Sequence, residues 1–440
     1  MSTFERKPGD IDPSFGEKGV VTLAILPDVI NGTDRHIKGL YRLPEGKLLI
    51  SITVSHDDDP DAPNDPDDSV LYNSSYYGLA RLNEDGRLDP TFASKGFTFD
   101  KFYKRFDAFG GKVAMRDSWI YMQGATTMND DTESPPVHLV LGRFNENGAQ
   151  DPNFATQGKL ILRNLPTENC LSDTGNVAVQ TNGMIVVGAT YHAMGAAERT
   201  HAVLYRVTKK GQLDEKFARN GRLDIKLDAT VSATSILAMH LLDFGKILIA
   251  GSATRAGRTQ GYFARLNPDG SMDKSYGNPS TPGVHFLNLT HSESTVQGLV
   301  KTAEGGFFGL GHSRRAGQHV HGLLAKMDEN GKPNPHFNRG KPLLTLLEKH
   351  TGDNWCAGFI DSENRITVAG SDLETHIARF LGTGDLDKEF GTNGFLSRDT
   401  SAMSASIFLQ PRDNKNKKFV FAGNVTGVGG PYGNLWGFVS

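Results

Sequence analysis

Short apolar runs, rather than long amphipathic stretches, set the rhythm of this chain. GKLLIS from Gly46, MIVVGA from Met184, KILIAG from Lys246, RITVAG from Arg365 and KFVFAG from Lys418 are each bounded by turn residues. Their length and β-branched content predict strands. A second marker recurs downstream: ARLNEDG from Ala80, GRFNENG from Gly142, YRVTKKG from Tyr205, ARLNPDG from Ala264, AKMDENG from Ala325 and ARFLGTG from Ala378. Each reads as a strand running into a tight turn whose final Gly permits positive φ.

A third marker fixes the period. IDPSFGEKG from Ile11 recurs as LDPTFASKG from Leu88, QDPNFATQG from Gln150 and LDEKFARNG from Leu213. Looser copies are MDKSYGNPSTPG from Met272, PNPHFNRG from Pro333 and LDKEFGTNG from Leu386, so one aromatic-bearing motif returns about every 60 residues. Its chemistry is local. The Asp caps one helical turn, the Pro suits the first position, and the closing Gly takes a left-handed conformation. The aromatic residue is expected to plug the turn into the core.

The unit therefore reads strand, tight turn, strand, variable loop, strand, NxDG turn, capped turn, strand. Four antiparallel strands in that length predict a propeller blade. The first DPSFG copy precedes any full unit, and the chain reaches LWGFVS at Ser440 without another copy. Residues 10–24 are thus expected to complete the last blade, closing the ring and removing its free edges. The prediction is an all-β chain: a single seven-bladed β-propeller of four-stranded antiparallel blades, one domain over residues 1–440. Small residues recur early in the first strand of the units, at Gly39, Gly111, Gly175, Ala238, Gly298 and Ala357. They suit backbones crowded around an axis.

The unit GKxLxxG…ARLNxDGxLDPxFGxxG resembles the delta-60 repeat, a bacterial repeat family, over essentially the whole chain. The resemblance implies a repeat-built β fold and transfers no catalytic residue. Departures are local: Ile52 stands where other units have Gly, Tyr276 replaces Phe, and STPG lengthens the turn before Gly283.

Composition agrees. Gly contributes 50 of 440 residues and the apolar set only 38%, which fits many short elements. A net charge of -3 excludes a broad basic face for nucleic acid or a polybasic membrane surface. Cys170 and Cys356 are too few for a disulfide framework and read as buried thiols. With no secretory signal and no run of 18 apolar residues, the expected compartment is the cytoplasm, with signal-independent export the alternative.

Arg81, Arg143, Arg206, Arg265, Lys326 and Arg379 occupy one position of successive units, and Asp89, Asp151, Asp214, Asp273 and Asp387 follow eight residues later. Features present in every unit point to scaffold, and an Arg–Asp pair between strand and capped turn is predicted. Chemistry is expected in the loops that differ. The largest is the acidic insertion 56–68, whose Asp57, Asp59, Asp61 and Asp65 are the weak candidates for a metal. Its spacing does not match an EF-hand, and its three prolines suggest an extended solvated loop, so no cofactor is expected, with calcium the alternative. Histidines gather near the starts of third strands: His138, His201, His319, His321 and His376, with His192 and His312 just before. Tyr76, Tyr77, Tyr191, Tyr432 and Trp436 lie in or beside the same loops. Aromatic and polar groups so mixed suit a sugar or peptide.

No nucleophile elbow, P-loop, zincin motif or dinucleotide fingerprint is present. The leading expectation is a non-enzymatic binding scaffold presenting variable loops to a protein or glycan partner. The alternative is a hydrolase or lactonase-like enzyme with a divalent metal in the central channel, for which His240, Asp117 and Asp361 are the few candidates.

Overall fold

The computed structural model describes residues 6–23, 34–56, 74–104, 106–128, 137–162, 168–170, 175–193, 199–348, 352–371, 374–398, 408–411, 418–425 and 432–440. Among them there is no α-helix, and no helix long and apolar enough to cross a membrane. The fold is all-β and propeller-like, built from antiparallel ladders of four strands. The first runs Asp34–Arg42, Leu48–His56, Ser74–Leu82, Phe97–Asp100 in spatial and chain order. Ladders of the same order begin at Ala108–Arg116, Asn176–Val179, Val231–Leu241, Glu293–Lys301 and Trp355–Ile360. The third also carries Glu168–Cys170 against its second strand. The sequence's apolar runs are second strands, and its ARLN-type markers are third strands.

The remaining strands, Phe408–Pro411, Lys418–Val425 and Tyr432–Val439, pair in sequence. Their fourth partner comes from the other end of the chain. Val20–Thr22 lies antiparallel to Tyr432–Val439, with Val20 opposite Trp436. A single parallel bridge from Arg35 to Tyr432 joins this ladder to the first. The acidic insertion lies almost wholly outside the described residues.

Second and third strands are apolar on both faces because neighbouring sheets pack face to face. One cluster joins Val186, Ala202 and Leu204 of one sheet to Ile249, Tyr262 and Ala264 of the next. First strands of successive sheets lie side by side, and Phe408–Pro411 lies beside Asp34–Arg42. The small residues sit where this crowding is worst. Register shifts fall at Ile37/Gly39, Phe109/Lys112, Ile236/Ala238, Val296/Gly298 and Trp355/Ala357. A Cβ on Gly39 would approach the Gly111 carbonyl of the neighbouring sheet to 2.7 Å, and one on Gly111 would strike the Gln123 carbonyl.

The capped motif is a turn rather than the helical turn expected. The Asp side chain nonetheless caps it: the amide two residues on donates to Oδ1 of Asp12, Asp89, Asp151, Asp214, Asp273 and Asp387, at 3.0–3.2 Å. Too few successive αR residues remain for a helix, because the residue after the plug already turns to positive φ, as at Ala93 (45°), Ala155 (48°) and Ala218 (46°). The plugs Phe15, Phe92, Phe154, Phe217, Tyr276, Phe337 and Phe390 are all buried, each contributing about 1.5–3 kcal/mol of apolar burial.

Each capped turn also reaches the next unit. Amide-to-carbonyl bonds run Gly16 to Asp85, Ala93 to Asn147, Ala155 to Lys210, Ala218 to Asp269, Gly277 to Asn330, Asn338 to Thr383 and Gly391 to Pro8, at 2.7–3.0 Å. The predicted pairs are present. Arg81, Arg206, Arg265 and Arg379 donate from Nε to Oδ2 of Asp89, Asp214, Asp273 and Asp387 at 2.7 Å, and Arg143 to Asp151 at 2.8 Å. The same guanidiniums lie over the plug rings, 4.6–4.9 Å from the centroids of Phe92, Phe154, Phe217, Tyr276 and Phe390. Lys326 breaks the pattern: Asn334 stands at the Asp position, and Lys326 instead lies 3.8 Å from Glu304. Asp12 has Gly437 opposite it in place of Arg, and Lys418 (3.0 Å) and Arg6 (3.8 Å) supply the cations.

Candidate functional site

The ends of the sheets differ. NxDG turns and capped turns occupy one end, bound to one another by the repeated hydrogen bonds just described. The opposite end carries the second-to-third-strand loops, which differ in length and composition between units. The histidines and aromatics picked out in the sequence gather there, but not on equal terms.

Most of the aromatics are interior. Tyr77 stacks on Phe102 at 4.4 Å between centroids. Burial, and secondarily the charge of Asp100, holds its hydroxyl protonated far above the usual phenol range. Tyr191 is fully buried, with its hydroxyl 3.0 Å from that of Tyr205. Trp436 packs on Phe421 at 5.3 Å. Tyr76 packs edge-on to Phe99 beneath the Lys101 ammonium. These four fill the spaces between sheets, because strand alternation turns them inward; of the aromatics, Tyr432 alone is half-exposed.

The histidines divide similarly. His319 is exposed, and His138, His192, His201, His312 and His321 are half-buried. His201 stacks on Tyr191 at 5.8 Å, and Nδ1 of His321 is 3.0 Å from the His319 carbonyl. His312 belongs to a polar cluster, with Nδ1 3.1 Å from Oδ1 of Asn354. Beside it the Cys356 thiol donates to Oε1 of Gln297 at 3.1 Å. Cys356 is half-buried rather than buried as expected, and desolvation pushes its thiol up to about 11 against the opposing charge of Lys112.

His376 is different. It is 1% exposed, near the start of Thr375–Phe380, and its Nδ1 lies 2.9 Å from Oδ1 of Asp353. The Leu347 amide donates to the other Asp353 oxygen at 3.0 Å, fixing the carboxylate. The buried Nε2 has no hydrogen-bond partner. A ring nitrogen of His376 and one carboxylate oxygen each of Glu348 and Glu374 lie within 4.8 Å of one another. Among the described residues this is the one group of three ligand-bearing side chains that converges. Ser397 donates to Oε2 of Glu374 at 2.8 Å. Sequence reading picked His376 but missed Glu348, Asp353 and Glu374. The one usable signal was that Glu374 stands two residues before His376, just ahead of the strand Thr375–Phe380.

Among the described residues, the channel-enzyme candidates His240, Asp117 and Asp361 do not converge with two other metal ligands. His240 packs edge-on to Phe307 at 4.9 Å, and burial followed by the charge of Lys301 lowers its pKa. Asp361 caps a turn and pairs with Arg365 at 2.7 Å, while Asp117 occupies an exposed turn. The candidates Asp57, Asp59, Asp61 and Asp65 lie outside the described residues.

The family described as a domain of unknown function (DUF5122) beta-propeller matches residues 69–92 and 245–276. The chain thus carries a propeller-type repeat. No curated protein matches the sequence. Among solved structures, a protein of unknown function from Dyadobacter fermentans is 11% identical, with 96% of this chain and 99% of that one covered and a TM-score of 0.45. YCF48 bound to D1 peptide is 10% identical, with 99% and 98% covered and a TM-score of 0.44. A mutant of Trypanosoma rangeli sialidase displaying trans-sialidase activity is 9% identical, with 74% and 53% covered and a TM-score of 0.37.

Proposed function

We propose that residues 1–440 form one closed seven-bladed propeller that works as a non-enzymatic binding scaffold. Its contact face is the end at which third strands begin, and its partner is a protein or a glycan. Closure is supported by the chain of turn-to-turn bonds that starts at Gly16 and returns through Gly391 to Pro8, and by Val20–Thr22 completing the final ladder.

The observation that carries the functional reading is the division of labour between the two ends. The repeated polar residues are engaged within or between units: Asp in capping, five Arg on Asp and plug ring, turn carbonyls on the next capped turn. The loop end instead presents His138, His192, His201, His321 and Tyr432, each partly exposed, and the exposed His319, at positions that do not repeat from unit to unit. Imidazoles and a phenol on a rigid frame offer hydrogen bonding and stacking at low entropic cost.

The test is capture on immobilised full-length chain, against a glycan array and against native extract. A retained glycan or protein should be lost when His201, His319 and Tyr432 are changed together to Ala. It should be kept when Arg87 and Lys209, at the opposite end, are changed. Retention indifferent to the loop-end variant, or no retention at all, removes the reading.

A further inference from the structure

We propose that Glu348, Glu374 and His376 form a binding site for a divalent transition metal, zinc foremost, with His376 coordinating through Nε2. The proposal stands on the cluster itself and does not depend on the scaffold reading.

Three independent features converge. The first is ligand type: one imidazole and two carboxylates neutralise a dication and match the nitrogen-and-oxygen donor sets of zinc sites with an open fourth position. The second is the orphan nitrogen. A buried imidazole nitrogen without a partner is costly, and here it belongs to the residue that completes the cluster. The third is the support behind it. Asp353, whose side chain is fully buried, accepts a hydrogen bond from Nδ1–H of His376 and is itself held by the Leu347 amide. That fixes the tautomer with the Nε2 lone pair free, the carboxylate–histidine arrangement that raises ligand basicity in metal centres. Ser397 steadies the far oxygen of Glu374 in the same way.

The two glutamates are half-buried, so they can adjust to the roughly 2.0–2.2 Å bonds that zinc requires. A water completes the tetrahedron. The site has a defined place in the architecture. Glu348 belongs to the connection between Leu343–Thr345 and Trp355–Ile360, Glu374 immediately precedes the strand Thr375–Phe380, and His376 is its second residue. A bound ion would pin the crossover from one sheet to the third strand of the next. An imidazole favours zinc over calcium or magnesium, which take oxygen ligands.

The experiment uses full-length chain stripped with chelator and titrated calorimetrically with zinc chloride, then with calcium and magnesium chlorides. Binding of one zinc per chain, a raised melting temperature and no comparable response to calcium or magnesium are expected. Glu348→Gln and Glu374→Gln, both at half-exposed positions that tolerate the change, should each weaken zinc binding at least tenfold. Asp353→Asn should weaken it about 10- to 100-fold. Cobalt added to the stripped chain should give a tetrahedral absorption spectrum that Glu374→Gln abolishes. No stoichiometric zinc, or zinc held equally well by both glutamine variants through the other histidines, overturns the assignment.

Discussion

Changing Arg265 to Ala removes one guanidinium that serves Asp273, the Ser275 hydroxyl, the Glu329 carbonyl and the face of the Tyr276 ring. Asp273 stays buried with Lys246 as its remaining cation. The expected cost is about 2–4 kcal/mol, read from the urea midpoint, and an unchanged midpoint would remove the pair from the stability of the fold. Lys326→Ala should cost under about 1 kcal/mol, since its partner Glu304 is exposed and no Asp faces it. The carboxylates also predict a pH dependence. Burial raises the pKa of Asp89 and Asp273, but hydrogen bonds from Lys47 and Thr91 to the first, and from Lys246 and Ser275 to the second, outweigh it. Both end well below the usual 3.8. Above about pH 5 their stabilisation is complete. As pH falls further the unfolded chain takes up protons that the folded state resists, so stability drains away. Acid titration of Asp273→Asn should show a shallower loss below pH 4 than the parent chain. These pairs were legible in the sequence because a spacing of eight recurs in unit after unit. The Asp353–His376 contact was not, since it occurs once and depends on how a crossover lies against a strand.

At the scale of the element, the capped turn is a device for joining neighbours. Its plug fills its own sheet while packing beneath the next unit's turn glycine, as Phe217 does under Gly270. Phe217→Ala should therefore cost about 3–5 kcal/mol by equilibrium denaturation. The inner strands impose the converse demand. Gly111→Ala puts a methyl group into the Gln123 backbone, so a loss of about 1–3 kcal/mol is expected; a melting temperature equal to the parent's would show that the bulge has slack. Small residues at these positions were readable from composition, because crowding admits little else. The bulges that hold them were not, since a register shift leaves no mark on a run of small residues. Tyr77, Tyr191 and Trp436 were misplaced for a related reason. A residue next to a loop can still face inward, and only the phase of the strand decides.

At the scale of the whole molecule, the pairing of Val20–Thr22 with Tyr432–Val439 predicts what truncation does. Removing residues 1–23 uncovers the edge of the C-terminal strand and deletes the Gly391–Pro8 bond. The shortened chain should melt lower and associate through the bare edge, and light scattering after gel filtration measures this. A monomer of unaltered melting temperature would count against closure. The repeating four-stranded ladder was legible in the sequence because the plug motif returns about every 60 residues, whereas the loops carry no repeated signal from which a partner could be read. That same terminal pairing has a kinetic side. During synthesis Val20 is made more than 400 residues before Trp436, its partner. Local ladders can form as they leave the ribosome, but the strand Val20–Thr22 must remain unpaired until Tyr432–Val439 has emerged. Its docking closes a loop of that length, the slowest kind of contact to form. The Val20–Thr22 strand is thus held open to chaperones and proteases while the ladders between are already paired.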